Sequence, residues 1–224
     1  MNLAIFDLDN TLIAGDSDHS WGEFLVEREL VDVEAYKRAN DQFYQDYERG
    51  ELDIHAYQEF SLQPLTRYSM AELAELHRQF MTAKIDPLRL PQADALLQQH
   101  RQRGDYLLII TSTNRFITQP IADALGVDFL LATEAEIVDG RYSGKMIGTP
   151  CYQDGKITRL HQWLQQAQQH GFTGDLENSY FYSDSINDAP LLREVTHPIA
   201  VDPDASLRTL AEQQGWQVIS LRDQ

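Results

Sequence analysis

The sequence is short of cysteine, of positive charge and of long apolar runs, and each shortage removes a class of protein. Cys151 is the only cysteine in 224 residues, so no disulfide forms within the chain, which suits a reducing compartment. No histidine lies near it in sequence, and a packed thiol is expected there rather than a nucleophile. No apolar run approaches the roughly 20 residues of a membrane span. The first apolar run starts at Leu3, with no basic region before it and no cleavage site after it. That gives the expectation of a cytoplasmic protein with an unprocessed N-terminus. Lysine and arginine number 18 against 35 aspartates and glutamates, a net charge of −17. Such a field argues against a nucleic-acid backbone or an anionic membrane as partner. None of the seven histidines has another four residues away, so no two-histidine zinc site is expected.

What is present reads as a folded α/β chain: 42% of residues are apolar and 24% charged. Residues 3 to 11, Leu-Ala-Ile-Phe-Asp-Leu-Asp-Asn-Thr, begin as a buried strand too short for a helix. Further strands are predicted at 106–111, 127–132, 179–183 and 198–201, with a possible edge strand at 216–219. Helices are predicted at 91–103, 115–125 and 156–170, closed by Gly104, Gly126 and Gly171. Alternation of this kind implies a Rossmann-like parallel sheet with helices on both sides. Residues 15–87 break the rhythm with helical patterns alone, including capping-box spacing at Ser69 and Glu72. The expected organisation is a catalytic core of residues 1–14 and 88–224 with an inserted all-helical cap domain of residues 15–87. The cap's aromatic stripes, with Trp21, Tyr36, Phe43, Tyr44 and Tyr47, are expected mostly to be core. Residues 134–155, with Gly140, Gly144, Gly148 and Pro150, fit a β-hairpin projecting from the core.

Polar residues fall at the C-terminal ends of three predicted strands: Asp7 and Asp9, Thr111 and Ser112, and Asp184 to Asp188. Parallel strands bring these ends to one edge of the sheet, where open α/β sheets bind ligands. Lys156 opens a predicted helix, where a cation opposes the helix dipole unless it faces an anion. Together the parts suit phosphoryl transfer. Asp7, Asp184 and a backbone carbonyl near Asp9 suit Mg²⁺. Lys156 and a hydroxyl at Thr111 would hold phosphate. Asp7 would attack phosphorus and Asp9 would move the proton.

In these motifs, over nearly its whole length, the chain resembles the haloacid dehalogenase superfamily phosphatases whose helical cap follows the first strand. The resemblance rests on Asp7-Leu-Asp-Asn-Thr11, Thr111, Lys156 and Asp184 to Asp188 in that order. It implies Asp7 as nucleophile and Asp9 as acid and base. It implies Asp7, the Asp9 carbonyl and Asp184 as Mg²⁺ ligands, and Asp188 as the residue orienting Lys156 or a metal-bound water. Thr111 and Lys156 would bind phosphate, with Asn187 as a helper. An aspartate at position 9 disfavours the superfamily's dehalogenases and its ion-pumping ATPases. The run Thr111-Ser-Thr-Asn-Arg-Phe116 departs from the Ser-Gly-Gly-Phe of phosphoserine phosphatases and makes phosphoserine a less favoured substrate.

Asp16, Asp18 and Glu23 lie where the chain passes into the cap. Asp16 and Asp18 are candidates for holding a cationic group of the substrate, the alternative being a solvated acidic turn that caps the following helix. Arg115 is a candidate for phosphate or a second substrate group, the alternative being a structural role. His19 is expected on the cap surface. The loops Gly15 to Trp21 and Thr113 to Thr118 resemble a bacterial subgroup that includes histidinol-phosphate phosphatases. The expected activity is therefore hydrolysis of a small, amine-bearing phosphate ester, L-histidinol phosphate first, phosphoserine or phosphocholine next. Phosphotransfer or mutase chemistry, and a non-catalytic regulator that binds a phospho-ligand, are the rival readings.

Overall fold

The computed structural model describes residues 1–222. The strands are β1 (Leu3–Phe6), β2 (Tyr106–Asn114), β3 (Phe129–Val138), β4 (Arg141–Ile147), β5 (Ser179–Ser183), β6 (His197–Val201) and β7 (Gln217–Ile219). The helices are α1 (Ser17–Glu27), α2 (Val33–Glu48), α3 (Ile54–Leu62), α4 (Met70–Phe80), α5 (Pro91–Arg103), α6 (Arg115–Leu125), α7 (Asp154–Gln169), α8 (Ala189–Leu192) and α9 (Ala205–Gln214). The strands form one sheet in the order β4-β3-β2-β1-β5-β6-β7. Neighbours run parallel except β3 and β4.

Parallel strands are buried on both faces, and alternate residues divide between two apolar clusters. Ala4, Phe6, Leu107 and Ile109 join one cluster with residues of α5 and α6. Leu3, Ile5, Leu108 and Ile110 join the other with residues of α7, α8 and α9. β1 lies between β2 and β5, with Phe6 paired to Ile109 and to Tyr182. That register brings the segments following all three strands together at one edge.

Between β1 and α5 the chain is helical. Asp16, Asp32 and Asp53 cap α1, α2 and α3 through their side chains, and Ser69 with Glu72 forms the capping box that opens α4. A bridge between Ile13 and Arg89 ties the two ends of the insertion. The insertion is not detached in its packing: Trp21, Phe24, Leu62 and Phe80 share the apolar cluster that contains Phe6, Ile117 and Ile121.

Several boundaries differ from the sequence expectation. β2 runs on to Asn114 through a register shift after Ile110, because pairing with β3 resumes at Asn114 and Thr133 beyond the polar residues Thr111 to Thr113. The predicted hairpin forms: beyond Thr133, where its pairing with β2 ends, β3 carries on to Val138 and turns back into β4, which packs against α3 and residues 63–67. Residues 148–153 form no strand, and α7 begins at Asp154 rather than at Lys156.

Candidate active site

Asp7 follows β1 directly, and its backbone N–H donates to the Tyr182 carbonyl of β5 at 2.9 Å. Its carboxylate is buried, and Lys156 Nζ donates to Asp7 Oδ1 at 2.8 Å. The same ammonium lies 2.7 Å from Asp188 Oδ1 and 2.8 Å from Oδ2. Ser183 Oγ also donates to Asp188 Oδ2, at 2.7 Å. Lys156 reaches this point from the first turn of α7. That turn packs so closely on the preceding loop that a Cβ on Gly155 would stand 2.1 Å from the Pro150 carbonyl oxygen. Glycine is therefore required beside the lysine. Burial opposes the charge on Lys156, but Asp188 and Asp7 outweigh it and hold the ammonium above its ordinary range.

Thr11 clamps the third carboxylate. Its Oγ1 donates to Asp184 Oδ1 and accepts from the Asp184 backbone N–H, each at 3.1 Å. Between them Asn10 takes a left-handed backbone, φ 56°, which asparagine tolerates better than most side chains. Burial pushes the Asp7 carboxyl up to about 7, Lys156 opposing and the charges of Asp188 and Asp9 adding to it. Asp184 is raised well above the carboxylate range by burial and by the charges of Asp7 and Asp188.

Asp9 is held from two sides. The Ser17 backbone N–H, at the start of α1, donates to Oδ1 at 2.7 Å. Thr113 Oγ1, on β2, donates to Oδ2 at 2.8 Å. Burial raises Asp9 to about 7, the charge of Asp16 adding and the Ser17 and Thr113 bonds opposing. Thr111 is buried on the same strand, its Oγ1 accepting from the Thr113 N–H at 3.2 Å.

The donor set fits Mg²⁺. Asp7, Asp184 and Asp188 crowd together with the one ammonium of Lys156 among them, which leaves a deficit of positive charge suited to a divalent ion, and all the candidate donors are hard oxygens. No cluster of three or more His, Cys, Asp or Glu side chains suited to a metal ion occurs among the described residues.

A narrow cavity extends from Asp7 and Asp9 toward the helical insertion. Its far wall carries Asp16, Asp18 and His19, and its lining contains no lysine or arginine. Asp16 caps α1 by accepting from the His19 N–H at 2.8 Å, and burial followed by the charge of Asp18 raises it to about 6. Asp18 is buried. Ser61 Oγ donates to its Oδ1 at 2.9 Å, while Oδ2 has no hydrogen-bond partner. Burial pushes Asp18 up to about 7, the charge of Asp9 adding and the Ser61 and Tyr57 hydroxyls opposing. A buried carboxylate oxygen without a donor is costly unless a ligand supplies one.

Some expected placements change. The side chains of Phe43, Tyr44, Tyr47 and Tyr57 line the cavity instead of packing in the core, whereas Trp21, Phe24 and Phe80 are buried in the apolar cluster. His19 is also a cavity residue, with Nε2 3.1 Å from Asp41 Oδ1. Glu23 points away, exposed, toward Lys84 at 3.4 Å. Asn187 Nδ2 donates to the Tyr47 carbonyl of α2 at 3.2 Å and its Oδ1 accepts from Gln153 at 3.2 Å. Its amide thus ties the insertion to the core rather than facing the Lys156 cluster. Arg115 lies outside the cavity, engaged by Glu134 at 2.8 Å and by the Leu130 carbonyl at 3.0 Å. Despite its burial, Glu134 is held below the usual carboxylate range by Arg115 and Arg159, so Arg115 has its anion already. Cys151 is buried, and burial raises its thiol to about 11, as expected of a packed thiol.

Thr113, Ser17, Thr11 and Ser183 were not singled out by sequence as contacts of the acidic residues. The signal for Thr113 was its spacing: two residues past Thr111 on a strand, it shares that residue's face.

Comparison with known proteins points the same way. A family model for haloacid dehalogenase-like hydrolases matches residues 4–193. The chain is 49% identical to a histidinol-phosphatase of Neisseria meningitidis serogroup C (strain 8013), over 99% of both chains. A crystal structure of a protein of unknown function from Bordetella pertussis Tohama I superposes with a TM-score of 0.90 at 44% identity, covering 99% of both. A substrate-bound phosphoserine phosphatase shares the fold, with a TM-score of 0.69 at 14% identity, over 99% of this chain and 93% of the other. With its acidic residues, lysine and sheet order in these positions, the chain belongs to the haloacid dehalogenase-like hydrolase family, among that family's phosphatases.

Proposed function

We propose that the protein is a Mg²⁺-dependent phosphomonoesterase that works through an aspartyl-phosphate on small, amine-bearing phosphate esters, with L-histidinol phosphate as its substrate. Residues 15–87 act as the cap over the site, and the enzyme works in the cytoplasm. The observation that carries the reaction is the buried Asp7–Lys156–Asp188 cluster beside a doubly anchored Asp9.

An oxygen of Asp7 attacks phosphorus and the bond to the ester oxygen breaks. Asp9 gives its proton to that leaving oxygen. Water then loses a proton to Asp9 and attacks the same phosphorus, and the bond to Asp7 breaks, returning both aspartates. Lys156, held by Asp188, neutralises charge on the phosphoryl group, and Thr111 supplies a hydroxyl to it. Asp7, Asp184 and the Asp9 carbonyl would hold Mg²⁺, which supplies further charge neutralisation at the phosphoryl oxygens when bound.

The unpartnered Asp18 Oδ2 supports a cationic leaving group, since an N–H of the ester would satisfy it. Four aromatic side chains and no lysine or arginine in the lining favour a flat, positively charged tail such as an imidazole with an ammonium. The 49% identical relative carries the name of an enzyme for that ester.

The test is Mg²⁺-dependent phosphate release from L-histidinol phosphate, phosphoserine, phosphocholine, sugar phosphates and nucleotides, with Asp7→Asn as the blank. A strong preference for L-histidinol phosphate is expected. Equal weak release from the whole panel would refute the substrate assignment, and no release above the blank would refute hydrolysis.

A further inference from the structure

We propose that Thr113 is a positioning residue for Asp9, holding Oδ2 so that its free side faces the ester oxygen. The inference rests on Asp9 as proton donor and concerns how that donor is aimed.

A carboxylate with a single anchor turns about its Cβ–Cγ bond. Two anchors on opposite oxygens fix its plane, and Asp9 has two, the Ser17 N–H at 2.7 Å on Oδ1 and the Thr113 hydroxyl at 2.8 Å on Oδ2. They belong to different parts of the molecule. Ser17 is the first residue of α1, in the helical insertion, and Thr113 stands on β2 in the sheet. An opening of the insertion that carried α1 outward would remove the Oδ1 anchor and leave the one on the sheet. Thr113 therefore sets the donor's direction whatever the position of α1.

The two anchors are also chemically different. A backbone N–H only donates, whereas a threonine hydroxyl offers one proton and two lone pairs. Each carboxylate oxygen has two acceptor positions. On Oδ2 the Thr113 hydroxyl takes one and leaves the other for the proton in transit. In the first half-reaction that proton passes from Oδ2 to the leaving oxygen as the phosphorus–oxygen ester bond breaks. In the second it returns from the attacking water. The Thr113 bond persists through both, so the oxygen need not be aimed anew between them.

Local structure supports this use of a strand residue. The register shift after Ile110 lets the Thr113 N–H bond back to Thr111 Oγ1 at 3.2 Å. The two threonines are thereby tied side by side, with the Thr113 hydroxyl on Asp9. Both Thr113 and Asp9 line the cavity. The glycine at the third position of Ser-Gly-Gly-Phe could not supply such a hydroxyl, so the device belongs to this chain's own departure from that run.

The test compares Thr113→Val, Thr113→Ser and Asp9→Asn on two substrates: L-histidinol phosphate, whose alkoxide is a poor leaving group, and p-nitrophenyl phosphate, whose phenolate is a good one. Poor leaving groups need the proton and good ones do not. Thr113→Val is expected to lower kcat/KM, which reports the first half-reaction alone, by about tenfold or more for L-histidinol phosphate, the loss of one well-made hydrogen bond to a charged group, and to change kcat/KM for p-nitrophenyl phosphate by less than about threefold. Thr113→Ser is expected to bring the first substrate back to within about threefold of wild type. Equal losses on both substrates with Thr113→Val, or no rescue by serine, would overturn the inference and reduce Thr113 to packing. If Asp9→Asn shows the split and Thr113→Val does not, the inference alone falls. If neither variant shows it, the assignment of Asp9 falls as well. Melting curves of each variant separate these outcomes from misfolding.

Discussion

Replacing Asp18 by asparagine separates substrate recognition from catalysis, and its size follows from the environment of that carboxylate. Burial lifts Asp18 to about 7, so at pH 7 roughly half the free enzyme already carries it ionised. Completing the ionisation for a cationic ligand costs about 0.4 kcal/mol. A hydrogen bond to a charged group contributes about 1.5–3 kcal/mol. The difference, about 1–2.5 kcal/mol, is roughly a 5- to 70-fold loss in kcat/KM for L-histidinol phosphate. Loss on p-nitrophenyl phosphate, which has no cation, should stay under about threefold. Stability should move the other way. The folded carboxyl titrates near 7 and its ordinary value is 3.8, so the folded state retains a proton that the unfolded chain releases. Asp18 therefore costs nothing below about pH 4, costs progressively more up to about pH 7, and costs its full amount above that, a ceiling of about 4 kcal/mol. The asparagine amide in place of the unpartnered oxygen returns about 1–3 kcal/mol of that cost. At pH 8 the variant should melt higher by several degrees, at about 2–4 °C per kcal/mol for a chain of this size, and the gain should vanish near pH 4. Steady-state kinetics on the two esters and melting at pH 4 and pH 8 test both halves. Equal kinetic losses on the two substrates, or a lower melting temperature at pH 8, would refute the reasoning.

Lys156→Met should destabilise the protein by about 3–5 kcal/mol, because Asp7 and Asp188 are left buried without their cation; urea melts should show less loss at pH 5, where Asp7, raised to about 7, keeps its proton, than at pH 8. Chelation with EDTA should stop phosphate release and added Mg²⁺ should restore it. Mg²⁺ should also raise the melting temperature of metal-free wild type but not of Asp184→Asn, a readout independent of turnover. Gly155→Ala should cost about 1–3 kcal/mol by overpacking against the Pro150 carbonyl, and should lower activity well beyond that loss of fold by displacing Lys156, which kinetics on the folded fraction would reveal.

Much of the fold was legible because it is written locally. β1, α5 and α6 carry their own apolar periods and stop signals, and Gly104 and Gly126 end their helices in left-handed conformations, φ 75° and 68°. The acidic residues that ended apolar strands were legible for the same reason, since a carboxylate there needs a use. What was misread depended on partners far away in sequence. β2 looked finished at Thr111 because its next residues are polar, and only β3 pairing extends it. The stripe Phe43, Tyr44, Tyr47 has helical spacing whether it faces a core or a cavity, and period cannot distinguish the two. Arg115 looked available for an anion until Glu134, on a different strand, was found against it. Asn187 sits in the right run, but its amide is claimed by α2 and Gln153.

Lys156, behind Asp7 at the sheet edge, and the acidic lining of the cavity differ in charge, and this bears on how an acidic chain handles an anion. In the proposed reaction Lys156 would draw the phosphoryl group toward a cluster of carboxylates that would otherwise repel it. On the far wall, Asp16 and Asp18 are both desolvated, and burial followed by the charge of Asp18 raises Asp16 to about 6. A ligand negative at one end and positive at the other relieves both problems at once, whereas inorganic phosphate relieves only the first. Cleavage of such an ester divides the two charges between its products. In the proposed reaction the phosphoryl group would stay on Asp7, and the cationic alcohol would be left with the acidic wall alone. Its hold would then be limited to that wall, where burial raises Asp16 to about 6 and Asp18 to about 7. The same raised acidity range that weakens recognition of a cation thus serves its release, and a wall of fully ionised aspartates would bind the ester more tightly but free the alcohol more slowly.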